Sequence, residues 1–220
     1  MPQVVLHSLA NATVEGKDLA ARAVALMQRI IDDPQFLDSV RTDPYAYSGR
    51  MLDSGGYSPS TDNETIAQII AGGKEITKVP DGVIDLTIKI RSFVFSPDTM
   101  GSVIPPAPLI STNKRFFRTW IDRDDVKSVA AHWIHEWMHV AGFYHEDASG
   151  DSRDVPYWTG QIAYKLGADL LGESAAVSLD DPDFGSTYLA IASQRTCSTT
   201  RVVTSQDVFG DAADEDSGDD

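Results

Sequence analysis

The sequence predicts a mixed α/β (α+β) fold built as one domain, and three observations carry that expectation. Val83 to Phe95 sets Ile84, Leu86, Ile88 and Ile90 against Asp85, Thr87, Lys89 and Arg91, the alternation of a half-buried strand. Lys17 to Asp32 and Val126 to Val140 instead repeat their apolar residues at helical spacing. A chain of 220 residues can bury a substantial core but is short for two large domains.

Taken in order, the first helix, Lys17 to Asp32, turns Leu19, Ala23, Met27, Ile30 and Ile31 inward, and Pro34 follows it as a stop. Pro44 to Pro59 is rich in Gly, Ser and Tyr and reads as a loop. Thr61-x-x-Glu64 has the form of a capping box for a short helix through Ile66, Ile69 and Ile70, ended by Gly72-Gly73. The strand from Val83 loses its alternation near Ser92, which marks a bulge or turn. Pro105-Pro106 leads into Ala107 to Asn113 and Phe116-Phe117, and prolines belong on sheet edges rather than in central strands. Asp122, Asp124 and Asp125 suit the start of the next helix as caps and dipole partners. Its residues Val126, Val129, Ala130, Trp133, Trp137 and Val140 form one apolar face. A last helix, Thr159 to Leu171, carries Ile162, Leu166 and Leu170 on one stripe before Gly172. Ser174 to Ser205 has little pattern beyond Leu189-Ala190-Ile191-Ala192, and there are no internal repeats.

Charge and composition narrow the partners. A formal net charge of −15 argues against nucleic acid and anionic membrane surfaces. Part of that charge lies in the tail, residues 206–220, whose run from Gly210 is almost wholly Asp, Glu, Gly, Ala and Ser; such a run is expected to stay solvated and disordered. Val4-Val5-Leu6 is too short for the apolar core of a signal peptide and lacks a basic flank. No stretch approaches the roughly 20 apolar residues of a membrane span. Localisation is therefore open between the cytoplasm, export by a non-classical route, and a trimmed chain. With Cys197 the only cysteine, no internal disulfide can form.

The chemistry concentrates in His135 to His145, which reads HEWMHVAGFYH and fits H-E-x-x-H-x-x-G-x-x-H. His135 and His139 stand about one helical turn apart, so their rings can bite one metal. Gly142 allows a sharp turn that swings His145 back as a third ligand. Three protein ligands leave a fourth tetrahedral position for water, the mark of a catalytic rather than a structural zinc site. Glu136 sits about 100° round the helix from His135. There it is placed to take a proton from that water and pass it to a leaving amine. On the helical wheel, the apolar face lies roughly opposite His135 and His139, so one side packs into the core and the other faces a cleft.

The segment HEWMHVAGFYHE, Glu146 included, resembles the zinc signature of the metzincin metallopeptidases and is most similar to that of the astacin group. The resemblance covers about a dozen residues. It implies a zincin-like fold split by a cleft, with zinc at its floor, His135, His139 and His145 as ligands and Glu136 as general base. It implies one catalytic domain over residues 1–205, divided at the site into 1–142 and 143–205. The implied function is that of a zinc-dependent metalloendopeptidase acting on a peptide or protein substrate.

Two departures from that family stand out. No Met follows Met138, whereas the family carries a methionine turn beneath the zinc. Asp154-Val155-Pro156-Tyr157-Trp158 resembles the Met-x-Tyr segment, with Val155 in the Met place and Tyr157 as a phenol near the metal, either a ligand or an oxyanion donor. The other reading makes Tyr157 and Trp158 core aromatics opening the next helix. The second departure is the lack of disulfides. In zincins the edge strand before the active-site helix pairs with extended substrate. Pro106 to Thr112 stands in that place, so Leu109, Ile110, Ser111 and Thr112 are the expected substrate strand, with an ordinary strand and loop as the alternative. His132, on nearly the same helix face as the ligands, is expected to line the cleft or support the site. Glu173 is a rival carboxylate ligand. Hydrolysis of a non-peptide amide, or an inactive zinc-containing module that binds peptide without cutting it, are the competing functions.

Overall fold

A computed structural model of the chain describes residues 1–145 and 153–173. The readings made for Glu146, Cys197, Leu189 to Ala192, the rest of the C-terminal part and the acidic tail lie outside the described residues. In chain order the elements are β1 (Gln3–Ala10), α1 (Val14–Asp32), α2 (Pro34–Thr42), β2 (Arg50–Met51), β3 (Tyr57–Ser58), α3 (Asn63–Ala71), β4 (Val83–Arg91), β5 (Gly101–Val103), β6 (Leu109–Asn113), α4 (Lys114–Arg123), α5 (Val126–Val140) and α6 (Val155–Leu170).

The described residues form a mixed α/β structure. Its main sheet has the order β1-β4-β6-β5. β1, β4 and β6 run parallel, and β5 runs antiparallel along β6. β4 is the strand whose alternation was legible: Ile84, Leu86, Ile88 and Ile90 are buried while Lys89 and Arg91 are exposed. It ends at Arg91, where the alternation fails. β1 escaped the sequence because Val4 alone of its residues is buried; its pairing with β4, 80 residues on at Gln3↔Val83, is non-local.

Local chemistry accounts for several element boundaries that the pattern missed. Pro34 opens a helix rather than only stopping one. Asp33 is both the C-cap of α1 and the N-cap of α2, its side chain accepting from Gln35 N, and Pro34 at N1 needs no amide hydrogen bond. The N-cap of α3 is Asp62, which accepts from Thr65 N at 2.8 Å, so the expected Thr61–Glu64 box is displaced by one residue. Phe116 and Phe117 belong to α4, not to an extended stretch. Asn113 caps that helix at the end of β6. Pro44 to Pro59 contains the β2–β3 hairpin, paired Arg50↔Ser58 and Met51↔Tyr57.

α5 lies at the centre of the helical layer. It packs beside α1 and α6 and against β5 and β6. Apart from Lys127, every residue from Val126 to Val140 is buried, so this helix is enclosed on all sides rather than apolar on one face only. Trp133 and Trp137, with Phe36, Phe143, Met27 and the β4 isoleucines, fill the core around it. Each such side chain contributes about 1.5–3 kcal/mol of burial. Enclosure has a consequence for the polar residues of α5, because buried polar groups must find partners.

Candidate metal centre

α5 ends in a Schellman turn. Gly142 N–H donates to the His139 carbonyl at 3.0 Å and Phe143 N–H to the Met138 carbonyl at 2.9 Å. Gly142 has φ 101°, and a Cβ there would lie 2.9 Å from the Met51 carbonyl oxygen. Glycine is required by both conformation and space. This turn reverses the chain so that His145 meets His135 and His139. The ring centroids are 5.2 Å (135–139), 5.1 Å (135–145) and 4.7 Å (139–145) apart. One nitrogen from each ring lies within 4.8 Å of the others, a grouping that could hold a metal ion.

Neighbouring acceptors orient two of the rings. His139 Nδ1 donates to the Phe143 carbonyl at 2.7 Å. His145 Nδ1 donates to Asp154 Oδ2 at 2.6 Å. A proton held at Nδ1 leaves Nε2 with its lone pair, the form that ligates. Burial, reinforced by the neighbouring imidazoles, pushes His135 well below its ordinary pKa and His139 down to about 3. Both are therefore neutral, as metal ligation requires. His145 Nε2 is buried with no hydrogen-bond partner. A buried polar atom left in that state costs about 1–3 kcal/mol, and a cation bound by the three rings would remove the cost. The donor set therefore fits a metal ion, and three imidazole nitrogens suit zinc, copper, iron or nickel.

Asp154 is the contributor that the sequence did not single out. By sequence it is only the first residue of the Asp154–Trp158 segment. In the structure it is the N-cap of α6, with Oδ1 accepting from Tyr157 N at 3.0 Å while Oδ2 holds His145. The available signal was an Asp directly before Val-Pro, a helix-start pattern. The helix begins at Val155 rather than at Thr159. Val155 to Tyr157 is thus the first turn of α6, not a separate tight turn ahead of it. Val155 is fully buried in the core. Tyr157 opens the helix and also lies at the histidines. Its ring stacks on His145 at 4.2 Å and meets His135 edge-on at 4.8 Å.

The segment expected as a plain loop is what braces this turn. Met51 N–H donates to the Gly142 carbonyl at 2.8 Å, Tyr144 N–H to Gly49 O at 3.3 Å, Ala46 N–H to Arg153 O at 3.0 Å and Val155 N–H to Tyr47 O at 3.2 Å. Residues 46–51 thereby grip both the approach to His145 and the return to Asp154. Arg50, itself buried, adds Nε–H to the Ala141 carbonyl at 2.8 Å, a cation at the negative end of α5.

Glu136 is 2 % exposed and its Oε2 has no hydrogen-bond partner. Burial pushes its carboxyl up to about 8. The edge strand passes close by, since a Cβ on Gly101 would lie 2.4 Å from Glu136 Oε1. His132 also approaches that carboxylate, Nδ1 to Oε1 3.7 Å, and is not part of the three-histidine group.

Two expected roles are not supported by these positions. β6 lies between β4 and β5, and Ile110, Ser111 and Thr112 pair with β5 on one side and with β4 on the other. Ile110 to Thr112 have no free backbone edge for a substrate, and Leu109, the exposed first residue of β6, already pairs with Thr87 of β4. The strand at the end of the sheet is β5. Proline placement misled here because the two prolines precede β6 rather than lie within it. Glu173 pairs with Lys127 in the first turn of α5, about 12 Å along the helix from His135 at 1.5 Å per residue. No described helix is long and apolar enough to cross a membrane. Comparison of the chain with protein-family models, with curated proteins and with solved structures found no match.

Proposed function

We propose that this chain is a zinc-dependent metalloendopeptidase of zincin-like, metzincin-related architecture. One observation carries the reading: two buried imidazoles, His135 and His139, and a partly buried one, His145, converge at the helix turn that also carries the buried carboxylate of Glu136, whose Oε2 has no hydrogen-bond partner. An acid–base group with a pKa near neutrality suits proton transfer at physiological pH, and Glu136 is shifted in that direction. The sheet supports it too, because the strand beside Glu136, β5, is an antiparallel edge. An extended peptide added to β5 would pass over Glu136.

His135, His139 and His145 would hold the zinc. When bound, it supplies Lewis acidity toward water and a peptide carbonyl. Glu136 takes the proton released as water attacks the carbonyl carbon and delivers it to the departing amine nitrogen, so the peptide bond breaks without leaving charge stranded. Tyr157, stacked on His145 and edge-on to His135, would donate its phenolic hydrogen to the developing oxyanion. β5 aligns the substrate backbone.

The test is metal analysis beside cleavage of a mixed peptide library. About one zinc per chain is expected, removed by His139→Ala. Glu136→Gln should keep metal and fold while cleavage falls by orders of magnitude. Equal cleavage by wild type and Glu136→Gln would overturn the general-base role. Metal and peptide binding without any cleavage would identify a peptide-binding module instead.

A further inference from the structure

His132 is a fully enclosed imidazole that the metal centre does not use. It is 1 % exposed, in a helix whose other histidines converge on the metal site. Four groups approach the ring. Trp120 packs against it with centroids 5.3 Å apart. Gly101 of β5 approaches so closely that a Cβ would meet His132 Cε1 at 2.5 Å. Thr112 Oγ1 lies 3.3 Å from Nε2, and Glu136 Oε1 lies 3.7 Å from Nδ1.

Donors and acceptors in this cluster can be counted. Trp133 Nε1–H, which can only donate, gives its hydrogen to Thr112 Oγ1 at 3.2 Å. The threonine hydroxyl keeps its own hydrogen, which it can give to His132 Nε2 beside it. Burial pushes His132 down to about 3, so the ring is neutral and carries one proton. With Nε2 accepting, that proton sits on Nδ1, directed at the Glu136 carboxylate one helical turn away. Every group is then used: indole to hydroxyl, hydroxyl to imidazole, imidazole to carboxylate.

We propose that His132 is a positioning residue for Glu136: Thr112 sets its tautomer, and its Nδ1–H fixes Oε1 so that Oε2 faces the reacting groups. The consequence for turnover rests on the metallopeptidase reading, but the hydrogen-bond arrangement does not. The orphaned Oε2 fits this division of labour, one oxygen anchored and the other left free. At 3.7 Å the two groups are at ion-pair distance, just beyond a closed hydrogen bond. Nothing in the metal-ligand spacing calls for a histidine here, since His135, His139 and His145 complete the set.

The test uses full-length protein with nitrogen-labelled histidine, read by proton–nitrogen correlation of the imidazole rings. His132 should show a protonated Nδ1 and an unprotonated, hydrogen-bonded Nε2, and Thr112→Val should abolish that preference. A protonated Nε2 in the wild type would overturn the arrangement, whether or not the protein cuts peptides. In the cleavage assay, His132→Leu should keep metal content and KM within about twofold and lower kcat roughly 10- to 100-fold. His132→Asn offers an amide N–H near the place of Nδ1–H and should recover most of that loss. Equal kcat for the Leu and Asn variants, or a change confined to KM, would reject the positioning role. If His132→Leu does not fold, the Asn variant and the tautomer still decide the matter. A wild type without peptidase activity would instead reject the proposed function, leaving the tautomer result standing.

Discussion

Asp154 holds His145 and starts α6 with the same carboxylate: Oδ2 accepts from His145 Nδ1 at 2.6 Å and Oδ1 accepts from Tyr157 N at 3.0 Å. The third histidine is therefore oriented by the cap of the helix that follows it. Placement of His145 in the three-histidine cluster and the start of α6 are coupled through one side chain.

That coupling can be separated by substitution. Asp154→Ser retains an oxygen able to cap α6 but is too short to reach His145. Its melting temperature should stay close to wild type, whereas loss of the cap in Asp154→Ala costs about 1 kcal/mol. Both variants should bind metal roughly 10- to 100-fold more weakly, measured by competition with a chromophoric chelator. Wild-type affinity in Asp154→Ser would mean that the carboxylate does not orient the ligand.

Tyr157 stacks on His145 and meets His135 edge-on, and phenylalanine can make the same ring contacts. Tyr157→Phe should therefore leave metal content and stability nearly unchanged. If the phenol serves the oxyanion, turnover on a fluorogenic peptide drops roughly 10- to 1,000-fold. Unaltered turnover would leave Tyr157 as a packing residue of the α6 opening.

Gly101 is where the edge strand comes nearest to Glu136. An alanine Cβ would sit 2.4 Å from Oε1 and 2.5 Å from His132 Cε1, so Gly101→Ala must push Glu136, His132 or β5 aside. The three atoms nearest to this methyl belong to Glu136 and His132 rather than to His135, His139 or His145. The expected outcome is full metal content with cleavage reduced by at least tenfold, a loss on the scale of removing general acid–base catalysis. Normal cleavage by Gly101→Ala would show that Glu136 tolerates displacement and weaken its assignment as the base.

Acid should destabilise the metal-free protein through its buried histidines. Burial holds His132 at about 3, against about 6.5 for an exposed imidazole in the unfolded chain. Between those values the unfolded state binds a proton that the folded state refuses. Stability therefore falls as pH falls from about 6.5 toward about 3, and His132 contributes no slope above that window. Melting temperatures in the presence of chelator, from about pH 7 down to about pH 4, should decline less steeply in His132→Asn than in wild type. Parallel curves would mean that His132 is accessible to protons in the folded chain.

What could be read from the sequence was local in origin. His135, Glu136 and His139 share a helix, where a spacing of four residues fixes how far apart two rings stand. Gly142 and His145 follow within one Schellman turn, so the three-histidine cluster was legible from a run of eleven residues. The alternation of β4 and the caps at Asp125 and Gly72 belong to the same category: each depends on neighbours a few residues away.

Tertiary structure decided what depends on distant partners. The prolines before β6 predict an edge strand, but strand order is set by pairing across the sheet, and β5 occupies the edge. Residues 46–51 have no pattern of their own, yet their backbone groups brace both sides of the His145 turn. His132 carries no mark in the sequence of its contact with Thr112 on β6, and Asp154 none of its reach back to His145. The motif settles which side chains can meet a metal because helix geometry is the same in every protein. The groups that hold those side chains in place come from remote segments, and only packing brings these together.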